Sequence, residues 1–124
     1  MRKVLLLLMF CMVLSVGSAA ARATGFNYDE AVAIGYGTWV DTETGQHVYP
    51  IWKNKAGETN IISNKGYTDS LGESRIFFDY KGVQGCLIVT YDAKADKYFA
   101  EMNYKPDIKW ITKYARLVRV STEQ

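Results

Sequence analysis

The chain has 124 residues, with 15 basic and 13 acidic side chains, one histidine and two cysteines. Three of the basic residues precede residue 24, so the remainder carries 12 basic against 13 acidic side chains. This balance excludes the strong positive charge expected of a nucleic-acid-binding domain, and we therefore predict no nucleic-acid partner. The single histidine excludes a metal site built from several histidines.

The first 23 residues have the pattern of a secretory signal. Arg2 and Lys3 are followed by an uncharged, apolar run from residue 4 to 16 and then by mostly small residues up to position 23. The run is shorter than the roughly 20 residues that a membrane-spanning helix needs. The sequence therefore predicts a signal peptide over residues 1–23, cleaved after Ala20 or Ala23. We expect a secreted or periplasmic protein without a stable membrane anchor after cleavage, and a single β domain over residues 24–124.

Cleavage would leave Cys86 as the only cysteine of the mature chain, so no disulfide can form within it. Cys86 stands beside Leu87, Ile88 and Val89, and this setting predicts a buried and unreactive thiol. Stability must therefore come from packing. All three tryptophans and all nine tyrosines lie after residue 23 and can supply a core.

After a short polar lead, turn-forming residues divide the domain into segments rich in β-formers. Pro50, in the second segment, lacks a ladder donor and favours a sheet edge or a bulge. Segment 97–104 alternates between two faces, with Phe99 as the one apolar residue on its polar face. Segment 85–91 is apolar on both faces, which favours a central position or a second covering layer. The predicted strands are 34–40, 46–52, 59–63, 74–80, 85–91, 97–104 and about 114–120.

The tail from residue 108 to 120 fits two periods, because Trp110 and Tyr114 share a face in a strand and also in a helix. Pro106-Asp107 suits a helix start. We expect a helical turn from about 107 to 113 that passes into the last strand. Seven or eight short strands joined by hairpin-sized turns predict an all-β protein, an antiparallel barrel or sandwich.

Gly37-Thr38-Trp39 begins this series of hairpins, and an arginine stands in the last strand. In this combination the chain resembles the calycin superfamily of lipocalin-like barrels, whose avidin-like members also begin with a similar Gly-Thr-Trp. The resemblance implies a small antiparallel up-and-down barrel or half-barrel, with Gly37, Trp39 and Arg116, or else Arg119, as its structural signature. In such barrels the indole closes one end beneath a guanidinium that donates to backbone carbonyls. The residues alone leave another β-sandwich or a mixed α+β sheet open.

The sequence contains no pattern that predicts catalysis, a metal site or a cofactor. His47 has neither Ser nor Cys near it in sequence, which favours an exposed polar residue on a strand. By residue type, Asp41, Glu43, Asp92 and Asp96 suit calcium ligands or an acid/base pair. Their turn-like settings are those of solvated loops, without a glycine-centred calcium loop. We therefore predict no catalytic residues, no metal ligands and no cofactor.

The aromatic residues are the remaining signal for function. They suit the lining of a pocket for a small apolar ligand, the contact surface for a protein partner, or simply the core. Tyrosine is more frequent than a core of this size needs, which favours some exposed aromatic surface. The candidate ligand-binding residues are Tyr49, Trp52, Phe78, Tyr91, Tyr98 and Met102.

The first functional hypothesis is a non-enzymatic, secreted or periplasmic binding protein with a lipocalin-like β-barrel that binds a small apolar ligand. The alternative is an envelope protein-interaction module or hydrolase inhibitor, with aromatics such as Tyr49 and Phe99 exposed around a filled core. An enzyme is the third hypothesis, in which a small-barrel isomerase or cyclase would use His47 with a nearby carboxylate. The interior distinguishes the first two, because a lined void favours a ligand and a filled core favours a partner.

Overall fold

The computed structural model describes residues 25–69 and 71–124, so the predicted signal peptide lies outside the described residues. The described chain begins with a short helix, α1 (Tyr28–Gly35). Asn27 caps this helix, since its side-chain oxygen accepts from the backbone N–H of Glu30 at 3.1 Å. The sequence predicts a polar lead here, with the first strand beginning at residue 34. That assignment is wrong, because the capping signal outweighs the β-propensity of the residues that follow.

Seven strands follow the helix, and each overlaps one of the segments predicted from the sequence. The predicted helical turn over 107–113 is wrong. Residues 106–110 form a loop, and from Ile111 onward the backbone pairs with the preceding strand. This pairing satisfies the backbone N–H and C=O groups that a helical turn would have satisfied by local hydrogen bonds. The strands are β1 (Thr38–Asp41), β2 (His47–Val48), β3 (Ile61–Thr68), β4 (Ser74–Tyr80), β5 (Val83–Asp92), β6 (Lys97–Lys105) and β7 (Ile111–Ser121).

The strands form one antiparallel sheet in the order β2-β1-β7-β6-β5-β4-β3. Strands β3 to β7 follow one another as hairpins, and β1 pairs with β7 through Trp39↔Arg119. The end strands β2 and β3 are not neighbours in the described sheet, so it is a half-barrel rather than a closed barrel. The register between β6 and β7 shifts near Ala100 and Met102, and such bulges increase the bend of a sheet. The predicted all-β, antiparallel half-barrel is confirmed.

Alternation along the strands gives the sheet an inner face, which packs on α1, and an outer face. In β5, Leu87 and Val89 point inward, whereas Cys86 and Ile88 point outward. This strand is central in the sheet and apolar on both faces, as its sequence indicated. The most completely buried side chains all belong to the inner core, and they are Trp39, Ile51, Phe78, Leu87, Val89, Met102 and Leu117.

A buried asparagine connects the sheet to the segment that follows β2. The Asn60 side chain donates to the carbonyl oxygens of Pro50 at 2.9 Å and Asp79 at 3.0 Å, and it accepts from the backbone N–H of Trp52 at 3.0 Å. Strand pairing ends with β2 at Val48, and beyond it these side-chain hydrogen bonds take the place of the backbone hydrogen bonds of a strand. Pro50, which favoured a sheet edge or a bulge, therefore follows the edge strand β2.

Candidate functional site

The inner face, where a lipocalin-like ligand pocket would lie, is filled by side chains. Phe78 and Met102, two of the predicted ligand-binding residues, are 0% and 1% exposed and belong to the core. Packing is close, because a Cβ on Gly85 would lie 2.6 Å from the Phe78 ring. The cleft between α1 and strands β3 and β4 has a volume of about 30 Å³. Small-molecule pockets are much larger, roughly 300 to 1,000 Å³, so Phe78 and Met102 serve the fold.

The other four predicted ligand-binding residues lie in two groups, Tyr91 with Tyr98 and Tyr49 with Trp52, and of these Tyr98 packs against the core. Tyr98 is half-buried, with the Arg119 guanidinium 4.6 Å from the centre of its ring. Tyr91 is exposed and packs against Tyr98, with ring centroids 5.0 Å apart. Tyr49 and Trp52 are exposed in the segment that follows β2. The six residues therefore do not line one pocket.

Gly37 and Trp39 of the predicted signature lie at the start of β1. Trp39 is fully buried and donates its indole N–H to the carbonyl oxygen of Gly35 at 2.9 Å. Gly37 has a φ of +146°, and a Cβ there would lie 2.3 Å from the carbonyl oxygen of Ser121. Glycine is therefore required at position 37, both for its backbone conformation and for the close approach of β7.

Arg119, and not Arg116, faces Trp39 across the β1–β7 ladder. Its Nη1 donates to the backbone carbonyl oxygens of Ala33 at 2.6 Å and Ile34 at 2.8 Å, at the C-terminal end of α1. A guanidinium at this position also opposes the partial negative charge of the helix dipole. Arg116 is exposed on the outer face. The sequence assignment is corrected to Arg119, because side chains alternate along β7 and the residue after Arg116 points into the core.

The outer face carries a groove with a volume of about 370 Å³, which we call the outer groove. Its floor comes from three neighbouring strands, because the register places Phe77 opposite Cys86 and Cys86 opposite Asn103. Ile88, the next outward residue of β5, extends the floor. Trp110, from the β6–β7 loop, forms a wall, with its ring centroid 6.1 Å from that of Phe77. Apolar side chains that would ordinarily be buried are thus gathered at the surface.

Lysine side chains lie over the two aromatic rings of the outer groove. The Lys65 ammonium is 5.1 Å from the centre of the Phe77 ring, and the Lys105 ammonium is 5.8 Å from the centre of the Trp110 ring. Both distances permit a cation–π attraction. The groove therefore has a floor in which Phe77 and Ile88 lie beside the polar Asn103 and Glu101, and a cationic rim.

Arg75, at the β3 side of the outer groove, is already paired with two carboxylates. Its Nη1 lies 2.7 Å from Asp69 and its Nη2 lies 3.3 Å from Glu73. Desolvation opposes the charge on Asp69, but the Glu73 backbone N–H and the Arg75 guanidinium hold the pKa of Asp69 below its ordinary value. The Arg75 guanidinium also lies 5.6 Å from the centre of the Tyr67 ring. Arg75 thus serves mainly to hold the β3 side of the outer groove in place.

Glu101 is the polar residue at the centre of the outer face, directly opposite Ile88. It is half-buried, and within the described part of the chain its carboxylate has no hydrogen bond or ion pair. A second groove of about 340 Å³ shares Ile88 and Glu101 with the outer groove and extends to Phe99 and Arg116. A lone carboxylate in an apolar floor is suited to fixing the orientation of a bound molecule.

Cys86 lies in the floor of the outer groove but is only 5% exposed. Burial raises the pKa of its thiol to about 11; Glu101 adds to this effect, whereas Arg75 and Lys65 oppose it. The thiol is therefore protonated at neutral pH and suits packing rather than nucleophilic attack.

Two of the carboxylates considered as metal ligands, Asp41 and Asp92, accept hydrogen bonds within their own turns. Asp41 is buried and accepts from the backbone N–H of Glu43 at 3.1 Å and from the Thr44 hydroxyl at 2.9 Å. His47 is exposed on β2. In the described part of the chain, no three His, Cys, Asp or Glu side chains lie close enough together to hold a metal ion.

The outer groove is not predicted from the sequence, although one signal for it is present. Segment 85–91 is apolar on both faces, and its outer side carries Ile88, which lines the groove. A helical turn over 107–113 does not predict the packing of Trp110 on Phe77. Phe99, the one apolar residue on the polar face of its strand, lines the second groove.

Comparisons with known proteins add no assignment. No family model matches the chain, and no curated protein or solved structure matches it. In the described residues, no helix has the length and hydrophobicity needed to cross a membrane. The function must therefore be argued from the geometry of the site.

Proposed function

We propose that the exported protein is a non-enzymatic binding protein, secreted or periplasmic, that binds a small apolar ligand in the outer groove. The observation that carries this proposal is the apolar surface of Phe77 and Ile88, on the neighbouring strands β4 and β5, beneath the exposed wall formed by Trp110. The groove volume of about 370 Å³ lies within the roughly 300 to 1,000 Å³ range of small-molecule pockets. The proposed site differs from the one expected inside the barrel, because the inner face is filled.

The lining favours a planar ligand with one polar group. Trp110 and Phe77 offer aromatic rings against which a flat molecule can pack, and Ile88 offers aliphatic surface. The Glu101 carboxylate, free of partners among the described residues, would orient a hydrogen-bond donor of the ligand. Arg75 is a weaker candidate for this role, because Asp69 and Glu73 already neutralise it.

Titration with N-phenyl-1-naphthylamine, a neutral fluorescent probe, tests the proposal. Trp110→Ala removes the aromatic wall. Trp52→Ala is a matched control, because Trp52 is 44% exposed against 43% for Trp110 and lies outside the outer groove. We expect saturable binding by the wild type and by Trp52→Ala, and binding about tenfold weaker or worse by Trp110→Ala. Ile88→Lys, which places a charge in the floor, should abolish binding.

Two outcomes contradict this assignment. Fluorescence that rises without saturation would mean that no defined site exists. An equal loss of affinity in both tryptophan variants would mean that the probe adheres to exposed aromatic surface in general.

We also propose that the half-barrel is a distant relative of the lipocalin-like calycins. The support is the buried Trp39 on the first strand, Gly37 two residues before it, and Arg119 on the last strand, which donates to backbone carbonyls just ahead of the first strand. The relationship would concern this framework and not an internal ligand pocket, because the sheet is open and the inner face is filled.

A protein-interaction role, as an envelope module or hydrolase inhibitor, is the second candidate. A filled core with Tyr49 and Trp52 exposed beyond the edge strand β2 supports it, since exposed large aromatics are typical of contact surfaces. Cross-linking in the envelope fraction should then capture a partner with the wild type and with Trp110→Ala. Tyr49→Ser combined with Trp52→Ser should lose that partner. Recovery of the wild type only as a free monomer would count against this role.

A further inference from the structure

The β4–β5 turn and the β6–β7 loop lie side by side at one end of the half-barrel. β5 pairs with β6 as far as Lys105, and β6 pairs with β7 from Ile111, so the two connections leave the sheet at the same level. We call the surface formed by residues 79–82 and 105–113 the loop end.

Exposed apolar side chains stand together at the loop end. Ile108 is 80% exposed, and Trp110 and Ile111 are 43% and 44% exposed. Lys109 separates Ile108 from Trp110, and Ile111 follows Trp110 directly. Ile108 does not line the outer groove, so its exposure is not explained by that site. A single exposed apolar side chain is ordinary, but a contiguous group of them, as at residues 108, 110 and 111, is typical of a contact surface.

Positive charge is concentrated at the same place. Residues 25–124 hold 12 basic and 13 acidic side chains in total, and 8 and 11 of them remain when the loop end is set aside. The loop end therefore carries four cations against two carboxylates on an otherwise acidic domain. The Lys81 and Lys113 ammonium groups lie 5.6 and 5.9 Å from the centre of the same Tyr80 ring, which keeps the two charges close together. The six charged residues are Lys81, Lys105, Lys109, Lys113, Asp79 and Asp107.

We propose that the loop end docks on the surface of an anionic lipid bilayer. Ile108 and Trp110 enter the interfacial region, where tryptophan is favoured, while the lysines remain among the head groups. The two surfaces are complementary. An anionic bilayer has negatively charged head groups above its apolar hydrocarbon region, and the loop has apolar side chains at its tip surrounded by ammonium groups. A protein partner would instead need a pocket for a single isoleucine within an acidic rim. One apolar loop with four lysines gives reversible docking, not an anchor.

Vesicle cosedimentation tests the proposal with the protein purified after export, its N-terminus established by mass spectrometry. Vesicles are made of phosphatidylcholine alone or of equal parts phosphatidylcholine and phosphatidylglycerol. We expect binding to the anionic vesicles only, with release by salt. Ile108→Ser should weaken binding about tenfold. Lys109→Gln combined with Lys113→Gln should weaken it about 25-fold, since each lysine near an anionic surface contributes about fivefold.

Leu71→Ser is the matched control, because Leu71 is 83% exposed but lies in the β3–β4 turn beside the acidic Asp69 and Glu73. It should bind anionic vesicles as the wild type does. In a Trp52→Phe background, Trp110 emission should shift to the blue with anionic vesicles, since Trp39 is already buried.

The proposal is overturned if the wild type does not bind anionic vesicles, or binds neutral vesicles equally well. It is also overturned if Ile108→Ser and Leu71→Ser have the same effect. The cosedimentation of the Ile108 and lysine variants is independent of the outer groove, because Ile108, Lys109 and Lys113 do not line it, whereas Trp110 does. Probe binding and vesicle binding can therefore fail separately.

Discussion

Arg119 connects the last strand to α1, and its replacement tests whether this contact holds the half-barrel together. Arg119→Met keeps most of the aliphatic stem but removes the guanidinium that donates to the carbonyl oxygens of Ala33 and Ile34 at 2.6 and 2.8 Å. It also removes the cation 4.6 Å from the centre of the Tyr98 ring. The two carbonyls at the end of α1 would then depend on water.

The loss of stability can be estimated from these contacts. Hydrogen bonds from a charged donor contribute about 1.5 to 3 kcal/mol each, and the lower value applies where water can replace the donor. The stacked cation adds about 0.5 to 1 kcal/mol. With the lower value for each of the two bonds, we expect Arg119→Met to lower the free energy of unfolding by about 3.5 to 4 kcal/mol, a large share of the 5 to 15 kcal/mol typical of a small domain.

Arg116→Met provides the matched control, because Arg116 is an exposed arginine of the same strand. It should change the free energy of unfolding by less than about 0.5 kcal/mol. Urea denaturation followed by circular dichroism measures both variants, and tryptophan emission reports the environment of the buried Trp39. Equal losses in the two variants, or a larger loss in Arg116→Met, would refute the assignment of Arg119 as the structural arginine.

Four further variants test individual positions. Gly37→Ala places a Cβ 2.3 Å from the Ser121 carbonyl oxygen and should cost about 2 to 4 kcal/mol. Gly45→Ala is the control, because Gly45 has a φ of +78° and open space around it, and it should lower stability by only about 1 kcal/mol. Similar losses of stability for Gly37→Ala and Gly45→Ala in urea titrations would mean that β7 moves aside to make room for the Cβ at position 37. Asn60→Ala removes three hydrogen bonds of the Asn60 side chain and should lower the free energy of unfolding by about 2 to 4 kcal/mol. Hydrogen exchange should be faster at the Trp52 amide, which donates to Asn60. Unchanged exchange at this amide would contradict the bridging role of Asn60. The pKa of Cys86 is raised to about 11 from an ordinary 9.0, so the unfolded chain loses this proton first as the pH rises. The stability of the wild type should therefore fall relative to that of Cys86→Ala between pH 9 and 11. In a separate measurement at pH 8, the Cys86 thiol should resist disulfide reagents until denaturant is added. Rapid labelling of the folded protein would contradict this environment.

The sequence by itself determined the fold class and the approximate positions of the strands, because both depend on local signals. Alternation and turn residues placed β4 at its observed bounds, 74–80, and placed β5 and β6 within two residues of theirs. The apolar run around Cys86 correctly indicated a buried thiol in a central strand. The first strand was predicted to begin at residue 34, four residues before its observed start at Thr38, because the helix over 28–35 was not predicted.

Only the tertiary structure decided which side chains meet. Period-two alternation cannot say which face of a strand is covered, and bulges between β6 and β7 change the register in a way that no local pattern records. For this reason Arg119 takes the place expected for Arg116, and Phe78 and Met102 lie in a filled core. α1 covers the inner face, and pairing of β7 from Ile111 onward leaves Trp110 in a loop that folds over the outer face. Whether an aromatic residue is core or surface therefore depends on contacts between segments distant in sequence.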